Sequence, residues 1–195
     1  MERASEQHSE GWRQSITRQI RPLRRASGVT LIEVLIGLGV LGVLGLMAMP
    51  SWAEFQERQR LKAAAETLAS SLNLARSEAL AQQKFAFVQL SGQGSDRWCY
   101  AVSMVQGCDC QSNCDAVQTV QGSSWPGITL SNASRKIFRF NWKNGAATGA
   151  NGTATLIGTR SGQRLCVVLS NLGRVRIVTS KQSPVPGYSQ DAGCS

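Results

Sequence analysis

Six cysteines are the residues of this chain best suited to specific chemistry, and all of them lie in its second half: Cys99, Cys108, Cys110, Cys114, Cys166 and Cys194. An even number of cysteines in a small domain indicates disulfides formed in an oxidising compartment, although the pairing stays open. Structural zinc is the competing interpretation. It fits poorly because there is no CxxC pair and the one histidine is His8. We therefore expect disulfides, no metal and no cofactor.

A second candidate is the cationic run Gly173-Arg174-Val175-Arg176-Ile177. Successive side chains of a strand point to opposite faces, so Arg174 and Arg176 would share one face. Such a face binds phosphates regardless of base sequence, whereas charge that protects a strand edge is the alternative interpretation. Weaker candidates for the same surface are the other basic residues of the last third: Arg135, Lys136, Arg139, Lys143, Arg160, Arg164 and Lys181.

The distribution of charge also favours a cationic surface in the last third of the chain. The formal net charge is +9, and residues 128–195 carry nine basic residues against Asp191 alone. A like-signed cluster attracts polyanions such as nucleic acid or anionic lipid. A solvated surface that keeps the protein soluble is the alternative.

Catalytic machinery is not indicated. The segment that contains the chemistry-bearing residues has no histidine and no clustered carboxylates, and Asp109 and Asp115 are interpreted as turn residues. Gly37, Gly39 and Gly42 spell GxGxxG, but they lie in an apolar helical run rather than after a strand, which argues against dinucleotide binding. The protein is not expected to be an enzyme.

The elements that position these residues begin with the apolar segment 29–49, interrupted by Glu33. As a helix it is long enough for a bilayer core. Arg21, Arg24 and Arg25 precede it, and the positive-inside rule then keeps the N-terminus in the cytoplasm. The sequence thus predicts one membrane-spanning helix with the rest of the chain on the far side.

Residues 50–83 are predicted to continue the helix. Pro50 removes one helical hydrogen bond, so we expect a kink or local melting there. Beyond it, apolar residues recur at three- and four-residue steps on one stripe: Leu61, Ala65, Leu68, Leu72, Ala75 and Ala79. This amphipathic half is expected to pack on a globular head.

Residues 84–195 are predicted to form that head, with strands at 85–90, 98–105, 116–121, 136–141, 153–157, 164–169 and 174–178. Phe138, Phe140 and Trp142 alternate through the basic stretch and are interpreted as a core face rather than as base-stacking groups. The predicted fold class is α+β: a long N-terminal helix, half transmembrane and half amphipathic, packed on a mainly antiparallel sheet. We further hypothesise that Cys166 and Cys194 tie the tail beside the Arg174 strand, and that the other four cysteines bridge residues 98–114.

The junction RRASGVTLIE at residues 24–33 closely resembles the class III leader of type IV pilins and pseudopilins. The resemblance implies that a prepilin peptidase removes residues 1–28 by cutting after Gly28, and that Val29, where many major pilins have Phe, is N-methylated. It also implies an assembly role for Glu33, with Pro50 matching the pilin pattern. An isolated carboxylate in a bilayer costs several kcal/mol, which favours pairing with a neighbouring subunit's N-terminal amine. A carboxylate lifted to the interface is the alternative.

Two further segments, ARSEA at 75–79 and GRVRI at 173–177, resemble the FimT/GspH family of minor pilins and pseudopilins. The resemblance implies a type IV pilin-like fold, other pilin or pseudopilin subunits as partners, and an inner-membrane protein with its head in the periplasm before it enters a pilus or pseudopilus. The FimT-like branch is favoured, which implies a type IV pilus and, in some members, capture of double-stranded DNA for natural transformation, here through Arg174 and Arg176. A GspH-like pseudopilin of type II secretion is the alternative. A membrane-anchored adhesin that never polymerises is a third interpretation.

Overall fold

A computed structural model describes residues 28–112 and 114–194, without the side chains of residues 46–51. The chain divides into two compact units, Met1–Leu44 and Gly45–Ser195. The predicted leader, apart from Gly28, lies outside the described residues.

One helix, α1 (Leu31–Gln82), contributes to both units. In the first unit its apolar side chains are exposed, whereas in the second unit the predicted stripe from Leu61 to Ala79 is buried. Within the described residues, no helix combines the length and the apolar character needed to cross a membrane. The end of the predicted span 29–49 and the Pro50 ring fall among the side chains that are not described.

Beside α1, the second unit contains two sheets and a short 3-10 helix (Gly122–Ser124). The first has the order β3-β2-β1-β5, with β1 (Ala86–Ser91), β2 (Cys99–Ser103), β3 (Gln118–Gln121) and β5 (Ile137–Phe140). The second has the order β4-β6-β7-β8-β9, with β4 (Ile128–Ala133), β6 (Gly152–Gly158), β7 (Arg164–Leu169), β8 (Val175–Thr179) and β9 (Ser189–Gln190). Among the described strands every pairing is antiparallel except the parallel pair β8–β9. The predicted α+β class is confirmed.

The core lies where the buried stripe of α1 meets the inner faces of both sheets. Alternate residues of each strand point inward, as Val88 and Leu90 do in β1. Polar atoms at this depth are paired: the Trp98 indole N–H donates to the Ile128 carbonyl at 2.8 Å, and the Tyr100 hydroxyl shares a hydrogen bond with Ser71 at 3.1 Å. Burial raises the pKa of Tyr100 to about 12.

Two strands, β4 and β9, are absent from the sequence-based prediction. The register of β4 shifts between Leu130 and Asn132, a bulge that breaks the two-residue alternation by which a strand is recognised. β9 contains only Ser189 and Gln190 and is held by its pairing to β8, which the local sequence does not reveal.

Disulfide-linked segments cover the outer faces of both sheets. Cys99 of β2 is joined to Cys110, and Cys108 is joined to Cys114, so the loop after β2 folds over the first sheet. Cys166 of β7 is joined to Cys194, which fastens the C-terminal segment to the second sheet. Asp109 lies beside Cys99 and Cys110, but their sulfurs are bonded to each other and are not available as thiolate metal ligands.

Candidate nucleic-acid interface

The arginine pair lies at the turn between β7 and β8. The Ser170 N–H donates to the Arg174 carbonyl at 3.0 Å, and the Arg174 N–H donates to Ser170 Oγ at 3.1 Å. A hydroxyl here takes the place of a backbone carbonyl as the acceptor. Strand β8 therefore begins at Val175, whereas the sequence predicts that it begins at Arg174. Gly173 completes the turn with φ +77°, a conformation that favours glycine.

Helix α1 holds this turn in place. The Arg76 guanidinium donates to the Gly173 carbonyl at 3.3 Å. A side chain added at Gly173 would collide with the carbonyl oxygen of Gly145. The glycine of the GRVRI segment is therefore required by close packing, and it places Arg174 at a defined point on the surface.

Arg174 and Arg176 are both exposed, whereas Val175 and Ile177 are half-buried and pack against the core. The two cationic side chains therefore share the outward side of the chain. β9 pairs only with Val178 and Thr179, so in the described structure the Val175–Ile177 part of β8 forms the sheet edge. A polyanion could reach the pair without displacing a neighbouring strand, although the same placement suits charge that protects an edge.

Arg135 lies at the same end of the second sheet. Its Nε donates to the carbonyl of Asn151 at 3.0 Å, just before β6 begins. Gly152 of β6 is opposite Leu169, and Leu169 is opposite Val175. The strand register therefore brings Arg135, one of the weaker candidates, to the same end as Arg174 and Arg176.

Arg160, Arg164 and Lys181 lie at the opposite end of this sheet. Arg164 begins β7, Arg160 is in the β6–β7 turn, and Lys181 follows β8. Leu169, which is opposite Val175, is five residues after Arg164, so the two ends are separated by roughly 17 Å. The structure does not place these three side chains with the arginine pair.

Lys136 and Arg139 belong to β5 and its start, and Lys143 lies in the β5–β6 loop, whose Gly145 packs against Gly173 and whose Ala147 donates its N–H to the Asn171 carbonyl at 2.9 Å. Lys136 is exposed just before β5, the Arg139 guanidinium lies 5.4 Å from the centre of the Phe85 ring, and Lys143 Nζ lies 5.3 Å from the centre of the Trp142 ring. Two aromatics of this stretch, Phe138 and Phe140, are fully buried and are not available to stack bases.

The residues expected to act in processing and assembly lie at the start of α1. Gly28 and Val29 precede the helix and are exposed. The Glu33 N–H donates to the Thr30 hydroxyl at 3.4 Å and to the Thr30 carbonyl at 3.1 Å, so Thr30 caps the helix. The Glu33 side chain lies in the first turn and is exposed. Pro50 lies within α1.

Glu57 was not predicted as a site residue, and the structure gives it a defined role. Its side chain is only 6% exposed, and its two carboxylate oxygens accept the N–H groups of Arg160 and Ser161 at 2.8 Å each. Burial alone raises the pKa of Glu57, but these hydrogen bonds and the charge of Arg160 together lower it below its ordinary value. The sequence does contain a signal for this role: Glu57 is four residues before Leu61, so a charged residue falls on the otherwise apolar stripe of the helix.

Comparisons with known proteins define the class of this chain. A prokaryotic N-terminal methylation motif matches residues 23–49, which marks a type IV pilin-like protein. The family described as "Type II transport protein GspH" matches residues 64–173, more than half of the chain, and the chain belongs to this family. Its members are pilin-like structural proteins, so the chain acts as a minor pilin or pseudopilin in a type IV pilus or a type II secretion system, in contact with other pilin subunits.

Two crystal structures of the Pseudomonas aeruginosa type IV minor pilin FimU are similar to this chain at 22% identity. One has a TM-score of 0.48 and covers 69% of this chain and 98% of the FimU chain. The other, from a second crystal form, has a TM-score of 0.44 and covers 66% and 98%. No curated protein matches the sequence.

Proposed function

We propose that this protein is a minor pilin of a type IV pilus whose head binds double-stranded DNA without sequence preference. The observation that supports the proposal is the exposed pair Arg174 and Arg176, held beside an open strand edge by the Ser170 turn and by Arg76. Guanidinium groups pair with phosphate oxygens in a bidentate way, and a contact to the backbone carries no base information. The head would bind DNA weakly and in a salt-dependent manner.

The proposed route to the filament begins at the membrane. Prepilin peptidase cuts between Gly28 and Val29, Val29 is N-methylated, and residues 29–49 anchor the subunit in the inner membrane with residues 84–195 in the periplasm. Glu33 then pairs with the N-terminal amine of a neighbouring subunit during assembly. Glu33→Ala should abolish incorporation into filaments, whereas Glu54→Ala, which removes an exposed carboxylate of the amphipathic half, should not. Normal incorporation of the Glu33→Ala variant into filaments would contradict the proposed assembly role of Glu33. It would favour a membrane-anchored adhesin that does not polymerise.

The proposal is tested by measuring duplex binding of the mature chain, residues 29–195, in nonionic detergent across a salt series. Arg174→Gln with Arg176→Gln should weaken binding and lower the salt slope by about two, because two phosphate contacts are lost. Arg160→Gln with Lys181→Gln is the matched control, since it removes the same charge from the opposite end of the sheet. Equal losses in both variants would mean that net charge alone attracts the duplex.

A pseudopilin of type II secretion is the second candidate, because the matched family carries the description of a type II transport protein. In that role the head contacts other pseudopilins or an exported protein, and it needs no affinity for DNA. A folded mature chain that binds no duplex at low salt would favour this candidate.

A further inference from the structure

A second exposed surface comprises the β6–β7 turn and the part of α1 from Trp52 to Arg60, which Glu57 joins to that turn, and the proposed DNA interface does not include it. Trp52 and Phe55 are five and two residues before Glu57, so they lie on the side of α1 away from the turn. Trp52 and Phe55 are 63% and 47% exposed on α1, with ring centres 5.9 Å apart. They follow the apolar segment 29–49 directly in sequence. Two large aromatic rings side by side at this exposure form an apolar patch on the surface.

Basic side chains surround the same turn. Arg60 and Arg160 line a cleft of about 300 Å³ together with Glu57, Pro126 and Gly127. The Arg60 guanidinium donates to the Pro126 carbonyl at 3.3 Å, and Arg58 Nε donates to Gln163 Oε1 at 3.2 Å. Arg164 and Lys181 belong to the same end of the second sheet, because Arg164 begins β7 and its carbonyl accepts a hydrogen bond from the Thr179 hydroxyl at 3.1 Å, two residues before Lys181.

Acidic groups on this surface do not balance the basic ones. Glu57 is buried, and both of its carboxylate oxygens accept backbone N–H groups. The acidic side chains that remain are Glu54, exposed on the neighbouring helix turn, and Asp191, whose N–H donates to the Thr179 carbonyl at 3.0 Å near Lys181. These two carboxylates stand against five basic residues. The cationic side chains of Arg60, Arg160 and Lys181 therefore face solvent with a net positive potential.

We infer that this basal surface, made of Trp52, Phe55, Arg58, Arg60, Arg160, Arg164 and Lys181, rests on a phospholipid membrane with anionic headgroups. The inference rests on the proposed anchoring of residues 29–49. Trp52 is three residues beyond that segment, or roughly 4.5 Å along a helix, which is within a headgroup layer roughly 5–7 Å deep. Tryptophan concentrates at that layer, and each basic residue near an anionic surface raises affinity by about fivefold.

The alternative occupant is nucleic acid, and the exposed aromatic pair Trp52 and Phe55 favours lipid over it. Arg135, Arg174 and Arg176 lie at the other end of the second sheet, roughly 17 Å away along the strands. The aromatic pair also adjoins the apolar segment in sequence, which links this end to lipid. The structure therefore divides the basic residues between two ends with two different anionic ligands.

The position of Trp52 is tested with the mature chain in nanodiscs of phosphatidylcholine and phosphatidylglycerol that carry brominated acyl chains. The difference between the wild type and Trp52→Phe isolates the emission of Trp52 from that of the other tryptophans. Quenching by bromine placed near the headgroups is expected, and an unquenched Trp52 would overturn the inference. A chain that fails to enter nanodiscs would instead contradict the proposed anchoring, so the two failures are distinguishable.

The basic side chains are tested by native mass spectrometry of the mature chain in detergent with added phosphatidylglycerol. Arg60→Gln with Arg160→Gln should lower the affinity for this lipid by about 25-fold, and the Arg160 N–H bonded to Glu57 is unchanged by the substitution. Arg174→Gln with Arg176→Gln removes the same charge and should retain lipid as the wild type does. Equal lipid retention by both variants would overturn the assignment. Loss of duplex binding in the Arg60→Gln, Arg160→Gln variant would also overturn it. Circular dichroism and three intact disulfides confirm that each variant is folded.

Discussion

The Arg76 guanidinium donates a hydrogen bond to the carbonyl oxygen of Gly173 at 3.3 Å, across 97 residues of sequence. Arg76 belongs to the ARSEA segment and Gly173 to the GRVRI segment, so the two segments that carry the family resemblance are in contact. The contact explains how a helix on the buried side of the sheet determines where an exposed arginine pair lies.

Removal of this contact should weaken both the fold and the site. Arg76→Gln loses a hydrogen bond from a charged donor, and we expect the free energy of unfolding to fall by about 1 kcal/mol. Arg76→Lys keeps the charge but not the planar fork, and we expect an intermediate value. Denaturant unfolding checks the stability, and duplex binding by the Arg76→Gln variant should fall below that of the wild type. Wild-type values for both quantities would show that the contact has no influence.

Gly173→Ala should destabilise the protein by about 3 kcal/mol, because it combines a left-handed backbone with a collision against the Gly145 carbonyl. Gly149→Ala is the matched control. Gly149 has φ +70°, and a side chain there would meet nothing within 4 Å, so its cost should be only the backbone strain of about 1 kcal/mol. Thermal unfolding of both variants measures the difference, and equal costs would contradict the packing argument.

The Glu57 carboxylate should make stability depend on pH in the acidic range. The pKa of Glu57 in the folded protein lies below the ordinary value of 4.5. The ionised carboxylate therefore stabilises the fold fully above pH 4.5, and this stabilisation is lost as the pH falls through the pKa of the folded state. Glu57→Gln should lower the free energy of unfolding by about 2 kcal/mol at pH 7. The backbone N–H of either Arg160 or Ser161 would then face the side-chain NH₂ group of glutamine and would lose its acceptor. The difference from the wild type should disappear at low pH, whereas Glu54→Gln should behave as the wild type throughout. A constant difference across the pH series would refute the assignment.

Loss of the Cys166–Cys194 disulfide should cost more than loss of Cys108–Cys114. The first closes 28 residues and the second only 6, and the loop-entropy account assigns about 3.5 and about 2 kcal/mol to them. Paired serine substitutions, compared by denaturant unfolding, measure both values. A larger loss of stability on removal of Cys108–Cys114 than on removal of Cys166–Cys194 would show that fastening the C-terminal segment to the second sheet stabilises the fold little.

The helix and most of the strands were predictable because their signals are local. The stripe from Leu61 to Ala79 repeats at the helical period, and all of its predicted members are buried. β4 escaped prediction because the bulge between Leu130 and Asn132 interrupts its alternation. Its position depends on pairing with β6, which is distant in sequence.

The candidate site was predictable in part. The composition of the last third identified a basic surface, but composition cannot say which end of a sheet each side chain occupies. That information lies in the strand register, which places Arg164 and Lys181 far from Arg174. Glu57 was missed because its partners are backbone N–H groups of a turn more than a hundred residues away.

The arginine pair and the basal surface lie at opposite ends of the second sheet, and we propose that they bind different anionic ligands. The most direct test measures duplex DNA and phosphatidylglycerol binding side by side for two double variants of equal charge: Arg174→Gln with Arg176→Gln, and Arg60→Gln with Arg160→Gln. We predict that the first variant loses DNA and keeps lipid, and that the second loses lipid and keeps DNA. Parallel losses of both ligands in both variants would contradict the account, because net charge rather than the placement of residues would then decide binding.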